Sequence, residues 1–357
     1  MTHPRLKHYP QHQSYLDSDP GEFRPFVMYV NRPLFRSPAV NTDRYGMREQ
    51  YDSRGQLIKL DTCAQTYQEC NVLVGGSTAF GVDATSDRRV ISHYLNRDGC
   101  PCLNLSIRGA TSQQEFIVFL LLRRLLPKVN SLVLFSGINN VALASVPDTL
   151  FYPEFGALFC EDQQFERFYN QYELFGASRD VYDRHSFQRM AGKYFSKSRL
   201  LRSFYHLMRS PNRRTLPEKP RYTFDEKLDL MLQVAANDID SWASFHPNKN
   251  FRVHYVLQPV LTWTAKTLTE VESECFEADL DLIPSMRVYT NQAVYTKVST
   301  TLSEACQRSG IDFYDANVWL GDPKYSKLNL FTDVVHLTDL GNKVIAEQLL
   351  ERISWEN

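Results

Sequence analysis

Residues 71–81 read Asn-Val-Leu-Val-Gly-Gly-Ser-Thr-Ala-Phe-Gly. The short apolar run predicts a buried strand, and a helical pattern resumes only near Asp87. Between them lies a small-residue turn whose glycines let the backbone bend sharply and let another group approach closely. A strand that ends in Gly-Gly-Ser leaves the Ser77 hydroxyl at the carboxyl edge of a sheet, where open α/β folds bind ligands. Two nucleotide-binding loops are excluded here. A phosphate-cradling loop needs Lys-Ser/Thr after its last glycine, whereas Gly81 is followed by Val82 and Asp83. Gly75, Gly76 and Gly81 also lack the Gly-x-Gly-x-x-Gly spacing of a dinucleotide fingerprint. By itself the stretch is equally a tight turn whose serine caps the next helix.

From Asn71 onward, strand and helix patterns alternate, as in a parallel sheet covered on both faces. Strands are predicted near 71–75, 102–107, 131–136, 252–258 and 311–314, and helices near 87–97, 112–126, 225–245, 288–309 and 338–352. The expected fold is a three-layer α/β/α, flavodoxin-like parallel sheet with a helical insertion. In that strand order, ligands sit at the switch point between the first and third strands. Ser77 follows the first strand and Asn139 the third.

A serine hydroxyl is a weak nucleophile until an imidazole takes its proton, and the imidazole works best when a carboxylate fixes its tautomer. Asp333 and His336, three residues apart, supply that pair if one helical turn sets both side chains on one side. The order Ser, Asp, His along the chain is one of several in which such triads occur. A developing negative oxygen would need donors. Gly109 ends one strand-to-loop segment with an N–H that could point into the site, and Gly137-Ile138-Asn139 ends another with a side-chain amide that could do the same. Each of these is, taken singly, an ordinary helix cap or strand-to-loop turn.

Together they resemble the SGNH (GDSL-like) hydrolases. Four blocks occur in that family's order: Gly-Gly-Ser at Ser77, the second-block glycine at Gly109, Gly-x-Asn at Asn139, and Asp-x-x-His at Asp333 and His336. The likeness spans roughly residues 71–352, with a long interruption between the third and fourth blocks. The first block is Gly-Gly-Ser-Thr where the namesakes have Gly-Asp-Ser-Leu, and Asn140 stands where Asp is usual. The resemblance implies the SGNH hydrolase fold and a serine esterase or deacylase. Ser77 would be the nucleophile, His336 the base and Asp333 its orienter. The Ser77 and Gly109 N–H groups and the Asn139 side chain would form the oxyanion hole. Transfer of the acyl group, action on a carrier-bound thioester, and a non-catalytic binding protein on the same scaffold are the alternatives.

Composition narrows the rest. The 357 residues carry a formal net charge of -1, with no global field toward nucleic acid or membrane. Seven cysteines, odd in number and irregularly spaced, point to a reducing, cytoplasmic setting without a disulfide framework. Nothing has convincing metal-ligand spacing, so neither metal nor cofactor is expected. The opening residues are polar, with His3, Arg5, Lys7, His8 and His12, and lack the apolar run of a signal peptide. No stretch is long and apolar enough for a membrane span. Residues 1–70 are expected as an N-terminal extension packed on the core, with short strands at 26–30 and around 41–48. The core domain, 71–357, carries a helical insertion at about 141–221. The insertion's first half is aromatic. Its second half holds eleven Lys/Arg between Arg184 and Arg221 against Glu218 alone, a local charge of +10 in a chain that totals -1. A solvated helical face is one reading of that segment. The other is a surface for an acidic partner such as a carrier protein, with Arg199 and Arg202 as candidate contacts. The expected substrate is a small-molecule or glycan ester, and nucleic acid is not the expected partner.

Overall fold

Alternate residues of each central strand face opposite ways, and in this chain both sets are apolar. The computed structural model describes residues 3–19, 21–148, 151–156, 222–245 and 251–355. Strands β1 (Gln50–Tyr51) and β2 (Leu57–Ile58) form a small antiparallel pair. The main sheet comprises β3 (Glu69–Gly75), β4 (Cys102–Asn104), β5 (Lys128–Ser136), β6 (Arg252–Leu257) and β7 (Asp312–Asp315). Its order is β4-β3-β5-β6-β7, every pair parallel. This is the flavodoxin-like order, with the topological switch between β3 and β5.

Val72, Val74, Leu132, Leu134, Val253 and Tyr255 pack on one face against helices Ser112–Leu122, Phe224–Phe245 and Gln292–Ser309. Leu73, Val133, Phe135 and Val256 pack on the other against Ile91–Tyr94, Ala316–Leu320 and Asp339–Arg352. The result is three layers, with hydrophobic burial on both sides of the sheet as the main source of cohesion. Part of the N-terminal region shares the first of these clusters through Val27, Tyr29, Met47, Ile58 and Leu60.

Two compact units divide the chain. One comprises Met1–Val146, Leu150–Phe159 and Thr223–Asn357 and carries the sheet. The other comprises Pro147–Thr149 and Cys160–Tyr222; within it, Asp148 Oδ2 accepts from the Tyr222 N–H at 3.0 Å. Most of the expected insertion, including its basic half with Arg199 and Arg202, lies outside the described residues. Among the described residues, no helix is long and apolar enough to cross a membrane, and the six cysteines are buried thiols.

Several elements differ from the sequence expectation. Residues 26–30 form a turn with only a bridge between Glu22 and Val30, because Phe26 and Met28 take positive φ and cannot continue an extended strand. Around 41–48 there is likewise only the Thr42–Arg48 bridge. The helix expected at 87–97 is confined to Ile91–Tyr94, since the Asp87 carboxylate is committed to Arg48 Nε at 2.8 Å and to Asn41. The run 288–309 breaks at Asn291, whose side chain caps the helix Gln292–Ser309 by accepting from the Val294 N–H. Helix Glu270–Leu282 was not predicted, although its Thr269/Glu272 capping box is a legible start signal.

Candidate active site

Strand β3 ends at Gly75 and the chain turns at Gly76 into the short helix Ser77–Phe80. Only glycine fits there. A Cβ on Gly75 would strike the Phe135 carbonyl oxygen, and one on Gly76 would strike Asn139 Nδ2. Ser77 is therefore presented partly exposed at the carboxyl edge of the central strand, and the preceding Gly76 lies against the Asn139 amide. The neighbouring Thr78 is buried; its hydroxyl donates to the Val335 carbonyl at 3.1 Å and accepts from Gln258 Nε2 at 2.9 Å. Thr78 thus ties the Ser77 helix to the loop after β6 and to the turn that carries His336.

That turn is not a helix. Residues 331–337 are closed by a bridge between Phe331 and Leu337, and the Asp333 side chain organises the interior. Its Oδ1 accepts from the Val335 N–H at 2.8 Å and the His336 N–H at 2.6 Å, while Oδ2 lies 2.5 Å from His336 Nδ1. The two side chains meet as the spacing suggested, but through a side-chain-to-backbone turn instead of a helical one. Burial of Asp333 works against its charge, yet the Arg5 cation and then His336 hold its carboxyl well below the usual range. An ionised carboxylate only accepts, so a contact this close requires the proton on Nδ1. In the neutral ring of that tautomer, Nε2 carries the lone pair. Nε2 is buried without a hydrogen-bond partner, and Ser77 Oγ is not bonded to it. The ring is free on the side from which it could take a proton.

The other expected donors converge on the same edge. Gly109 has φ +70°, a left-handed conformation that suits glycine. Asn139 lies at the start of helix Ile138–Leu143, which follows β5; one Nδ2 hydrogen goes to the Ala110 carbonyl at 2.6 Å, and the amide has a second. Asn140 faces away, its Oδ1 accepting from the Ser112 N–H at 3.0 Å and its Nδ2 donating to Ser112 Oγ at 2.8 Å. That use of both ends of an amide explains an asparagine at this position.

A group that sequence reasoning missed surrounds the Asp333–His336 pair. Arg5 lies on helix Pro4–His8, started by Pro4 and capped by the His3 side chain. Its Nη1 pairs with Asp333 Oδ2, while Nε and Nη2 lie 2.7 and 2.6 Å from Asp83 Oδ2. Nη2 is also 3.0 Å from His336 Nδ1. Asp83 is fully buried at φ +68° and receives His12 at 2.7 Å and the Thr332 hydroxyl at 2.6 Å. Despite burial, Arg5 and then His12 hold its carboxyl down to about 2. No local motif marks Arg5 or Asp83. Among the described residues, no group of side chains could hold a metal ion.

No family model matches the sequence, and no curated protein matches it. Among solved structures the chain is similar to an extracellular lipase from Streptomyces rimosus, at 13% identity and a TM-score of 0.40, over 80% of this chain and 100% of the lipase. It is also similar to a phospholipase A1 from Streptomyces albidoflavus, at 11% identity and a TM-score of 0.41, over 80% and 99%. A member of the lipolytic G-D-S-L family from Veillonella parvula matches at 11% identity and a TM-score of 0.39, over 80% and 98%. At scores of this size the fold rests on the strand order, and no residue's role is carried over from these proteins.

Proposed function

We propose that the protein is a serine ester hydrolase in which Ser77 is the nucleophile, His336 the general base and Asp333 the group that orients and charge-balances it. The observation that carries this reading is the 2.5 Å contact between Asp333 and His336 Nδ1, which leaves Nε2 unpartnered on a turn tied through Thr78 to the Ser77 helix. Ser77 Oγ transfers its proton to Nε2 as it attacks the ester carbonyl. The Ser77 and Gly109 N–H groups and the second Nδ2 hydrogen of Asn139 receive the oxyanion. The alcohol leaves with the proton from His336, and water activated by the same nitrogen releases the acid.

The test is a p-nitrophenyl ester series from acetate to decanoate, run beside labelling with a fluorophosphonate probe. Turnover, with the label found on Ser77 and absent from Ser77→Ala, is the expected result. Absence of both turnover and label would sink the proposal, and labelling without turnover would move it from hydrolysis to acyl transfer.

Asn139→Ala is expected to lower kcat about a hundredfold or more, the usual effect of losing one oxyanion donor. KM should change little, because the lost bond matters mostly in the transition state. The Asn139 amide also holds the Ala110 carbonyl, so the melting temperature is measured alongside. A change of only a few-fold in kcat in a folded variant would remove Asn139 from the hole.

A further inference from the structure

Residues 3–19 lie across the loops that carry the proposed site. Tyr9 donates to the Phe331 carbonyl at 3.2 Å and Gln11 Nε2 to the Asp83 carbonyl at 2.8 Å. The Tyr15 hydroxyl sits 2.7 Å from the Ala84 carbonyl and accepts from Arg48 Nη1 at 3.0 Å. Arg108 holds the segment's far end through the Tyr15 carbonyl and Asp19. Through these contacts one charged group, Arg5, is brought against the Asp333–His336 pair and kept there by two buried carboxylates.

We propose that Arg5 is a positioning residue that holds Asp333 and the His336 ring in the arrangement that leaves Nε2 its lone pair, an inference that rests on the triad reading above. With its proton on Nδ1 directed at Asp333, His336 has nothing there to accept with, so Arg5 Nη2 at 3.0 Å is a fixed positive charge beside the ring and not a hydrogen-bond donor to it. A cation at that distance opposes a second proton on the imidazole. Arg5 also shares Asp333 Oδ2 with the ring, so part of the carboxylate's charge is already balanced. Both contacts hold the carboxylate and the ring in the tautomer with the proton on Nδ1.

The other titratable groups around the pair come from four elements. Tyr9 and His12 belong to the same segment, Asp83 to the loop after the Ser77 helix, Cys275 and Asp279 to helix Glu270–Leu282, and Tyr289 to helix Met286–Tyr289. Burial, then the Asp333 charge, push Asp279 up to about 7. Below that pH, Arg5 is balanced by Asp83 and Asp333 alone among the three carboxylates.

The experiment is kcat/KM against pH for wild type, Arg5→Met and Arg5→Lys, with the rate of fluorophosphonate labelling followed over the same range. In Arg5→Met the acidic limb should move to higher pH, whereas Arg5→Lys, which keeps a cation, should stay close to wild type. A loss of rate that is equal at every pH, with the limb unmoved, would make Arg5 a structural residue and overturn the proposal. Removing Arg5 leaves Asp83 and Asp333 buried beside each other. If Arg5→Met does not fold, Arg5→Met/Asp83→Asn removes the cation with its second partner and should move the limb the same way by a smaller step; an unmoved limb there also overturns it. If wild type neither turns over esters nor labels, the hydrolase reading has failed, and the ring proton resonances of His336 decide the role of Arg5. Protonation of the ring at higher pH in Arg5→Met upholds its electrostatic effect, and coincident titrations refute it.

Discussion

Ester hydrolysis is expected to fall about 10^4-fold or more in Ser77→Ala and in His336→Gln, with KM little changed and the fold intact. Each substitution removes one member of a unit that works only when complete. Without Ser77 no acyl-enzyme forms. Without the imidazole the hydroxyl keeps its proton at neutral pH. The double variant should be no worse than either single one, since residues that act as a unit are not additive. Asp333→Asn should be nearly as damaging for a different reason. The amide that replaces Oδ2 can present an N–H to Nδ1, which favours the tautomer with its proton on Nε2, and a protonated Nε2 cannot act as base. Steady-state kinetics on the best p-nitrophenyl ester, with circular dichroism to check folding, measures all four. If Asp333→Asn lost only a few-fold, the carboxylate would be a turn-former and the His336 assignment would need another orienter.

The parts of this site that were legible in the sequence are those written in local pattern. A strand broken by Gly-Gly-Ser, a glycine in the loop after the next strand, and Gly-x-Asn after the third are each determined by a few neighbouring residues; the left-handed turn at Gly109 and the helix Ile138–Leu143 were not anticipated. The alternation of strands and helices then placed them on one edge, because in this strand order the loops after β3 and β5 flank the switch point. The Asp333–His336 contact was anticipated, but its cause was not. A helical turn was expected, and a carboxylate that accepts two backbone N–H groups makes the contact instead. What escaped the sequence is pairing between distant positions. Arg5 meets Asp83 at a separation of 78 residues and His336 at 331. In the sequence Arg5 is one of several basic residues in a polar opening segment. Thr78 is similar: in the motif it is only a small residue after the serine, whereas in the fold it joins two loops. The short, partial helix at 91–94 follows from the same limitation, because Asp87 is held by Arg48, 39 residues away.

Glu115→Gln is expected to make the protein more stable above neutral pH. Glu115 is buried on helix Ser112–Leu122 beneath the end of β5, where the Ser136 hydroxyl donates to its Oε1 at 2.8 Å. Burial pushes its carboxyl up to about 8, against the Ser136 hydrogen bond and with a smaller push from Asp238, itself raised to about 6 by burial. The folded protein therefore keeps a proton that the unfolded chain gives up near 4.5. Stability associated with that proton is fully present below pH 4.5 and declines as pH rises toward 8, by roughly 5 kcal/mol over the full interval. Glutamine has the same shape and never ionises. Wild type should lose stability in urea between pH 5 and pH 8, and the variant should lose much less, with the two close together near pH 5. Parallel curves would mean that Glu115 is ionised and compensated in the folded state. Ser136 is followed by Gly137 and then by the helix that bears Asn139. Kept neutral, Glu115 accepts from the buried Ser136 hydroxyl without leaving an unpaired charge at the end of β5.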